Sequence, residues 1–156
     1  AAHCVHVDKE EWDILAERGV VVSHCPCSNM KLGSGRFPYE LAISSGARIT
    51  LGTDGCASNN NLDMREEMKF AALLAKSAGD SSLLPAREVF KWATLNGAEA
   101  FGINAGAIEK GKEADFILIG LDAPKMRPMH NLVSNWVYSA GCEAIERVIC
   151  DGRIVG

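Results

Sequence analysis

The sequence of 156 residues lacks the run of about 20 apolar residues that a membrane-spanning helix needs. It also lacks an excess of positive charge, because 20 acidic residues outnumber 16 lysines and arginines and leave a net charge of −4. Without a basic cluster there is no electrostatic footprint for nucleic acid or for an anionic membrane. No signal-peptide pattern stands at the N-terminus, so we expect a cytoplasmic protein.

Six cysteines are present, and we expect them to be free thiols. The chain is larger and richer in helix-forming residues than a disulfide-dense secreted domain. The segment His24-Cys25-Pro26-Cys27 has soft ligands that could bind zinc, although Cys-x-Cys is not the usual spacing of a zinc-binding pair. A small zinc-binding protein that uses these residues therefore stays open as an alternative.

Short apolar strands alternate with amphipathic helices in the first half, which is typical of a parallel α/β fold. Asp8 and Glu11 predict a capping box at the start of the first helix, which Gly19 ends. The predicted strands cover 5–7, 19–22 and 47–51, the later helices cover 38–45 and 62–78, and 23–36 is predicted as a polar loop. Loops after the carboxyl ends of such strands are where these folds place their chemistry.

The second half has a different pattern. The sequence predicts a helix over 85–101, a strand over 114–119 and a helix or strand over 131–139. Asp151-Gly152 lies between two short apolar segments and predicts a hairpin of 145–150 and 153–155. We expect a small β-rich layer at this end of the chain.

Three residues are candidates for chemistry. Asp54 follows a buried strand, and a carboxylate there can bind a divalent metal or transfer a proton, or can form only a local turn. His3 ends another apolar segment and could bind metal, polarise a substrate or be structural. Ser58, with Asn59, could contact a ligand or cap the helix near 62. Asn29 is expected to hold backbone carbonyls.

The order of the motifs is more specific than any one residue. The chain contains Ala2-His3-Cys4-Val5-His6, then SHCPCSNMKLGSG over 23–35, then LGTDGCASNN over 51–60. Later come ATLNGA over 93–98 and GAIEKGKEAD over 106–115. Together these segments resemble the methylthioadenosine/S-adenosylhomocysteine deaminase group of the amidohydrolase superfamily, which is related to guanine deaminases and triazine chlorohydrolases.

The resemblance implies an α/β fold: the C-terminal part of a distorted (β/α)₈ TIM-like barrel, about strands six to eight, with a small β-sandwich segment. Residues 1–104 would belong to the barrel and 105–156 to the sandwich. His3 would end strand six, Ser23 and His24 would follow strand seven, and Asp54 would end strand eight.

The resemblance also implies a reaction, the hydrolytic deamination of a purine-like small molecule. Asp54 would bind a divalent metal, with zinc favoured over iron, and would take a proton from the attacking water. His3 would face that water and the developing tetrahedral centre, and Ser58 and Asp54 would contact the substrate. A chlorohydrolase-type relative is the nearest alternative activity.

Part of the family's site is not found in this sequence. The His-x-His pair of the family's first strand is absent, as are its strand-five histidine and the nearby glutamate. We therefore expect this chain alone to be inactive and to lack a complete metal site, and to need the missing N-terminal part of the enzyme or a homo-oligomer. A truncated, non-catalytic binding module that dimerises is the alternative from a different functional class.

Overall fold

A computed structural model describes all residues, 1–156, and has a mixed α/β architecture. Eight α-helices and five strands follow one another along the chain, with short 3₁₀ turns at Pro124–Met126 and Cys142–Ala144. The helices are α1 (Lys9–Glu17), α2 (Pro26–Lys31), α3 (Tyr39–Ser44), α4 (Cys56–Asn59), α5 (Met64–Lys76), α6 (Ala86–Ala93), α7 (Leu95–Ala100) and α8 (Leu132–Tyr138). The strands are β1 (Val21–His24), β2 (Arg48–Leu51), β3 (Phe116–Ile119), β4 (Ile145–Cys150) and β5 (Arg153–Ile154).

The first sheet is parallel, as the alternating pattern predicts. β1 pairs with β2 in a register that places His24 opposite Leu51. Ala2 forms a parallel bridge with Ser23 on the other side of β1. Three extended segments thus run side by side in chain order, and their carboxyl ends share one edge of the sheet.

The second sheet is antiparallel, in the order β3-β4-β5. The predicted hairpin around Asp151-Gly152 is confirmed, because both residues have positive φ angles, +48° and +70°, and join β4 to β5. The segment that could be helix or strand is helix α8, and the Asn131 side chain caps it by accepting a bond from the Ser134 N–H. Helix α8 packs on α5 and α6.

A single apolar core joins the helices to the parallel sheet. Trp12, Val22 and Val89 are completely buried. The α5 helix presents Met68 and three alanines inward. The predicted capping box at Asp8 and Glu11 is also confirmed. None of the helices has the length and apolar character to cross a membrane.

Four local predictions are wrong. Residues 5 and 6 form a turn rather than the tail of a strand, since His3 and Cys4 already have left-handed backbone angles. Ser23 and His24 lie within β1 rather than after it, and the predicted loop at 23–36 contains helix α2, which begins at Pro26 because proline fits the first helical turn.

The fourth concerns the long helix predicted over 85–101. It is divided at Thr94, whose φ and ψ of −128° and −88° are not helical. Two bonds to β2 fix the two halves: Thr50 donates to the Trp92 carbonyl and Asn96 donates to the Ile49 carbonyl. Contacts with the sheet therefore override a continuous helical pattern.

Candidate active site

The carboxyl edge of the parallel sheet brings the two strongest candidates together. His3 follows the bridge at Ala2, and Asp54 follows β2 by three residues. The His3 Nε2 atom lies 3.9 Å from Asp54 Oδ2, and both side chains are partly exposed. Sequence reasoning thus placed both residues at one site, although 51 positions separate them.

Two serines hold the Asp54 carboxylate. The Ser28 hydroxyl donates to Oδ2 at 2.6 Å and the Ser58 hydroxyl donates to the same oxygen at 2.7 Å. The Ser28 bond first, the Ser58 bond next and the Gly55 amide lower the pKa of Asp54 from 3.8 to about 2. The group is therefore ionised at neutral pH, and its other oxygen, Oδ1, has no side-chain donor.

The backbone at both candidates is unusual. Asp54 has φ of +60° and His3 has φ of +63°, in the left-handed region that few non-glycine residues adopt. Such conformations persist where the surrounding structure enforces them, and they are concentrated at functional sites. Bonds from α2 and α4 supply this enforcement at Asp54, since Ser28 and Ser58 donate to its carboxylate and the Asn59 side chain donates to the preceding Thr53 carbonyl.

Asn29 orients the His3 ring. Its Oδ1 atom lies 2.8 Å from His3 Nδ1, and Asn29 itself is only 3% exposed. The Nδ1 atom is then engaged, so the Nε2 atom is the one that faces Asp54. The expectation that Asn29 holds backbone carbonyls is wrong, since its Nδ2 atom has no partner.

Ser58 belongs to the site rather than to a helix cap. Asp63, not Ser58, caps α5 by accepting a bond from the Arg65 N–H. Ser58 lies in α4, where its hydroxyl donates to Asp54 and also contacts the Gly55 carbonyl at 3.0 Å. The structure thus places it beside the candidate carboxylate, where the prediction of a substrate contact remains open.

His24 does not face the two cysteines of its segment as a zinc ligand would. Its ring is 1% exposed, stacks on Phe37 at 4.1 Å between centroids and places Nε2 2.8 Å from the Tyr39 hydroxyl. Burial, and next the charge of His3, lower the pKa of His24 to about 3. No three His, Cys, Asp or Glu side chains in the chain are grouped to hold a metal ion, and all six cysteines are free thiols.

Sequence reasoning missed one buried acidic residue near the site. Glu67 is completely buried on α5, where it accepts bonds from the Cys27 N–H and the Asn59 amide. Its position three residues after Met64 and four before Ala71 places it on the inner, apolar helix face. A charged residue in that stripe was the signal that could have found it.

Comparison with known proteins confirms the family that the order of motifs indicates. The sequence model of the Amidohydrolase family matches residues 1–155. The chain is 53% identical to 5-methylthioadenosine/S-adenosylhomocysteine deaminase 1 of Archaeoglobus fulgidus, over 99% of this chain and 37% of that protein. It is also 53% identical to the 5'-deoxyadenosine deaminase of Methanothermobacter thermautotrophicus, over 99% of this chain and 36% of that protein.

A solved structure gives the same relation in three dimensions. An adenosine deaminase from Xanthomonas campestris with bound zinc superposes with a TM-score of 0.94 and 42% identity. The match covers 99% of this chain and 36% of that one, so the chain spans little more than a third of the relatives it matches. On its motifs, its fold and the match over 1–155, this chain belongs to the amidohydrolase family.

Proposed function

We propose that this chain carries part of the active site, with Asp54, His3 and Ser58, of a metal-dependent aminohydrolase that deaminates adenosine derivatives. The observation that carries the proposal is the ionised Asp54 carboxylate, held by two serines beside His3 at the carboxyl edge of a parallel sheet. Relatives at 53% identity are named as deaminases of 5-methylthioadenosine, S-adenosylhomocysteine and 5'-deoxyadenosine. Their names supply the substrate class.

We also propose that the three parallel segments are barrel strands six to eight, with residues 1–104 in the barrel and 105–156 in a composite sandwich. The bridge from Ala2 to Ser23 and the β1–β2 pairing support that order. Open strand edges attract further pairing. The rest of a longer protein, or a second copy of this chain, would cover them.

The residues present fit a divalent metal, and zinc is favoured because a structurally similar deaminase binds it. Asp54 offers an ionised oxygen atom, Oδ1, that no side chain occupies, and carboxylate oxygens bind zinc in hydrolases. When bound, the metal supplies Lewis acidity that activates water for attack. The remaining ligands would come from outside this chain, because no group of three is formed within it.

Asp54 would accept a proton from the attacking water, and His3 would contact the reacting centre. Their 3.9 Å separation is too long for a direct hydrogen bond but leaves a position within reach of both. A polar atom there can donate to Asp54, which is ionised at neutral pH because of its low pKa. His3 Nε2 would contact the same reacting centre, and Ser58 and Asp54 would contact the substrate.

The test uses the full-length protein and measures ammonia release from 5'-methylthioadenosine, S-adenosylhomocysteine and 5'-deoxyadenosine, with and without a chelator. We expect chelator-sensitive turnover, reduced at least about 100-fold in Asp54→Asn, since losing a proton-transfer group costs about 10²–10⁴ in rate. His3→Ala should also lose turnover but retain more metal. Turnover of wild-type size in Asp54→Asn would overturn the assignment.

Chloride release and ligand binding, measured on the same full-length protein, separate the two alternatives. A chlorohydrolase would release chloride from a chlorinated triazine and leave the adenosine derivatives unchanged. A non-catalytic binding module would fold and bind a ligand without turnover, and the absence of a complete ligand group within this chain favours that alternative for the chain in isolation.

A further inference from the structure

A buried acidic residue, Glu67, lies next to the segments that carry the site. Glu67 is 0% exposed, and none of the ion pairs in the chain includes it. A buried acidic group without a cation must be satisfied by hydrogen-bond donors. The Cys27 N–H and the Asn59 side chain donate to it from α2 and α4, the helices that carry Ser28 and Ser58.

The first connection runs through Asn59 to the backbone at Asp54. The Asn59 Nδ2 group donates to Glu67 Oε1 at 2.6 Å and to the Thr53 carbonyl at 2.8 Å. Both neighbours are acceptors, so the amide must present its NH₂ group to them. Thr53 immediately precedes Asp54, and this bond therefore holds the peptide that enters the left-handed conformation at Asp54.

The second connection runs through α2 to the Asp54 side chain. The Cys27 N–H donates to Glu67 Oε2 at 3.1 Å, in the first turn of α2. The next residue is Ser28, whose hydroxyl donates to Asp54 Oδ2 at 2.6 Å. Oε1 of Glu67 is thus connected to the backbone before Asp54, and Oε2 is connected to the helix whose Ser28 bonds the Asp54 carboxylate.

We propose that Glu67 is a positioning residue, which fixes both the backbone and the carboxylate plane of Asp54 for metal binding. This inference rests on the proposed function and names the residue outside the site on which its geometry depends. Glutamine has the shape of Glu67 but only one acceptor oxygen, so one of its own N–H groups would face a donor from Cys27 or Asn59. Glu67→Gln should therefore release one of the two connections.

The experiment compares variants of the full-length protein by zinc affinity in chelator competition, by kcat and KM separately, and by Tm. Outer-shell partners of metal ligands typically contribute 10- to 100-fold in affinity or activity. We expect Glu67→Gln to weaken zinc binding and lower kcat by at least about 10-fold, with KM within about twofold. Glu66→Gln removes the same charge from the exposed neighbour and should match the wild type.

Two further variants separate positioning from stability. Met68→Ala empties a buried position on the same helix and lowers Tm without touching either connection, so zinc affinity should stay near wild type. Asn59→Ala breaks the first connection while leaving Glu67 in place, and it serves if Glu67→Gln does not fold. The effects of Glu67→Gln and Asn59→Ala on zinc affinity should be less than additive, because they act through one chain of bonds.

The proposal is overturned if Glu67→Gln or Asn59→Ala binds zinc as tightly as Glu66→Gln. It is also overturned if Met68→Ala has the same Tm as Glu67→Gln and loses as much zinc affinity. Absence of turnover in the wild type on every adenosine derivative would refute the proposed function instead. The zinc affinities would still decide the role of Glu67.

Discussion

Acidification below about pH 6.5 should destabilise the protein through His24. In the folded chain this ring is buried against Phe37 and Tyr39, and burial lowers its pKa from 6.5 to about 3. The unfolded chain binds a proton as the pH falls through 6.5, whereas the folded chain stays neutral until about pH 3. The stability from this group is therefore complete above 6.5 and is lost progressively as the pH falls toward 3.

The size of the effect follows from the width of that window. Each pH unit below 6.5 lowers the free energy of unfolding by about 1.4 kcal/mol. At pH 5 the loss is about 2 kcal/mol, which is a large share of the stability of an ordinary domain. Asp54 does not contribute between pH 7 and pH 5, because its pKa is 3.8 in the unfolded chain and about 2 in the folded chain, so it is ionised in both states.

Urea unfolding at pH 7 and pH 5, followed by tryptophan fluorescence, measures this difference. Trp12 reports on the region directly, since its ring lies 5.5 Å from that of Phe37. His24→Gln should lower stability at both pH values but remove about 2 kcal/mol of the difference between them, while the exposed His6→Gln should keep it. An unchanged difference in His24→Gln would refute the buried, neutral assignment.

Two further predictions concern packing and thiol reactivity. Gly106→Ala should destabilise the protein by about 3 kcal/mol, because φ is +81° and a Cβ would lie 2.7 Å from the Leu95 backbone. Thermal unfolding would show a fall in Tm of roughly 6 to 12 °C. Gly102→Ala, with φ of +66° and open space around it, should cost less, and equal losses would contradict the packing argument. Burial, and next the Glu67 carboxylate, raise the pKa of the Cys27 thiol, so mass spectrometry should find it alkylated more slowly than the exposed Cys56; equal rates would contradict this.

Local signals predicted the fold where one short segment decides the structure. The capping box at Asp8 and the Asp151-Gly152 turn each depend on residues that are neighbours in sequence, and both are confirmed. The break at Thr94 could not be predicted in this way, because bonds from β2 to the two halves impose it. Helix α2 was missed because six residues give too little periodicity to distinguish a helix from a loop.

In the candidate site, too, residues marked by a local motif were predicted, and residues that depend on distant contacts were not. Asp54 and His3 were found because each follows an apolar segment within a distinctive motif. Their supports could not be assigned from sequence, since Ser28 is 26 positions from Asp54 and Cys27 is 40 positions from Glu67. Only the folded chain brings these donors and acceptors within bonding distance, and their roles as ligands and positioning groups remain predictions.

The most direct test of the central claim is the zinc content of the full-length protein and its Asp54→Asn variant, purified in parallel without chelators. The wild type should hold about one zinc per chain, and Asp54→Asn should lose most of it while His3→Ala retains more. Full zinc content together with wild-type ammonia release in Asp54→Asn would contradict the account.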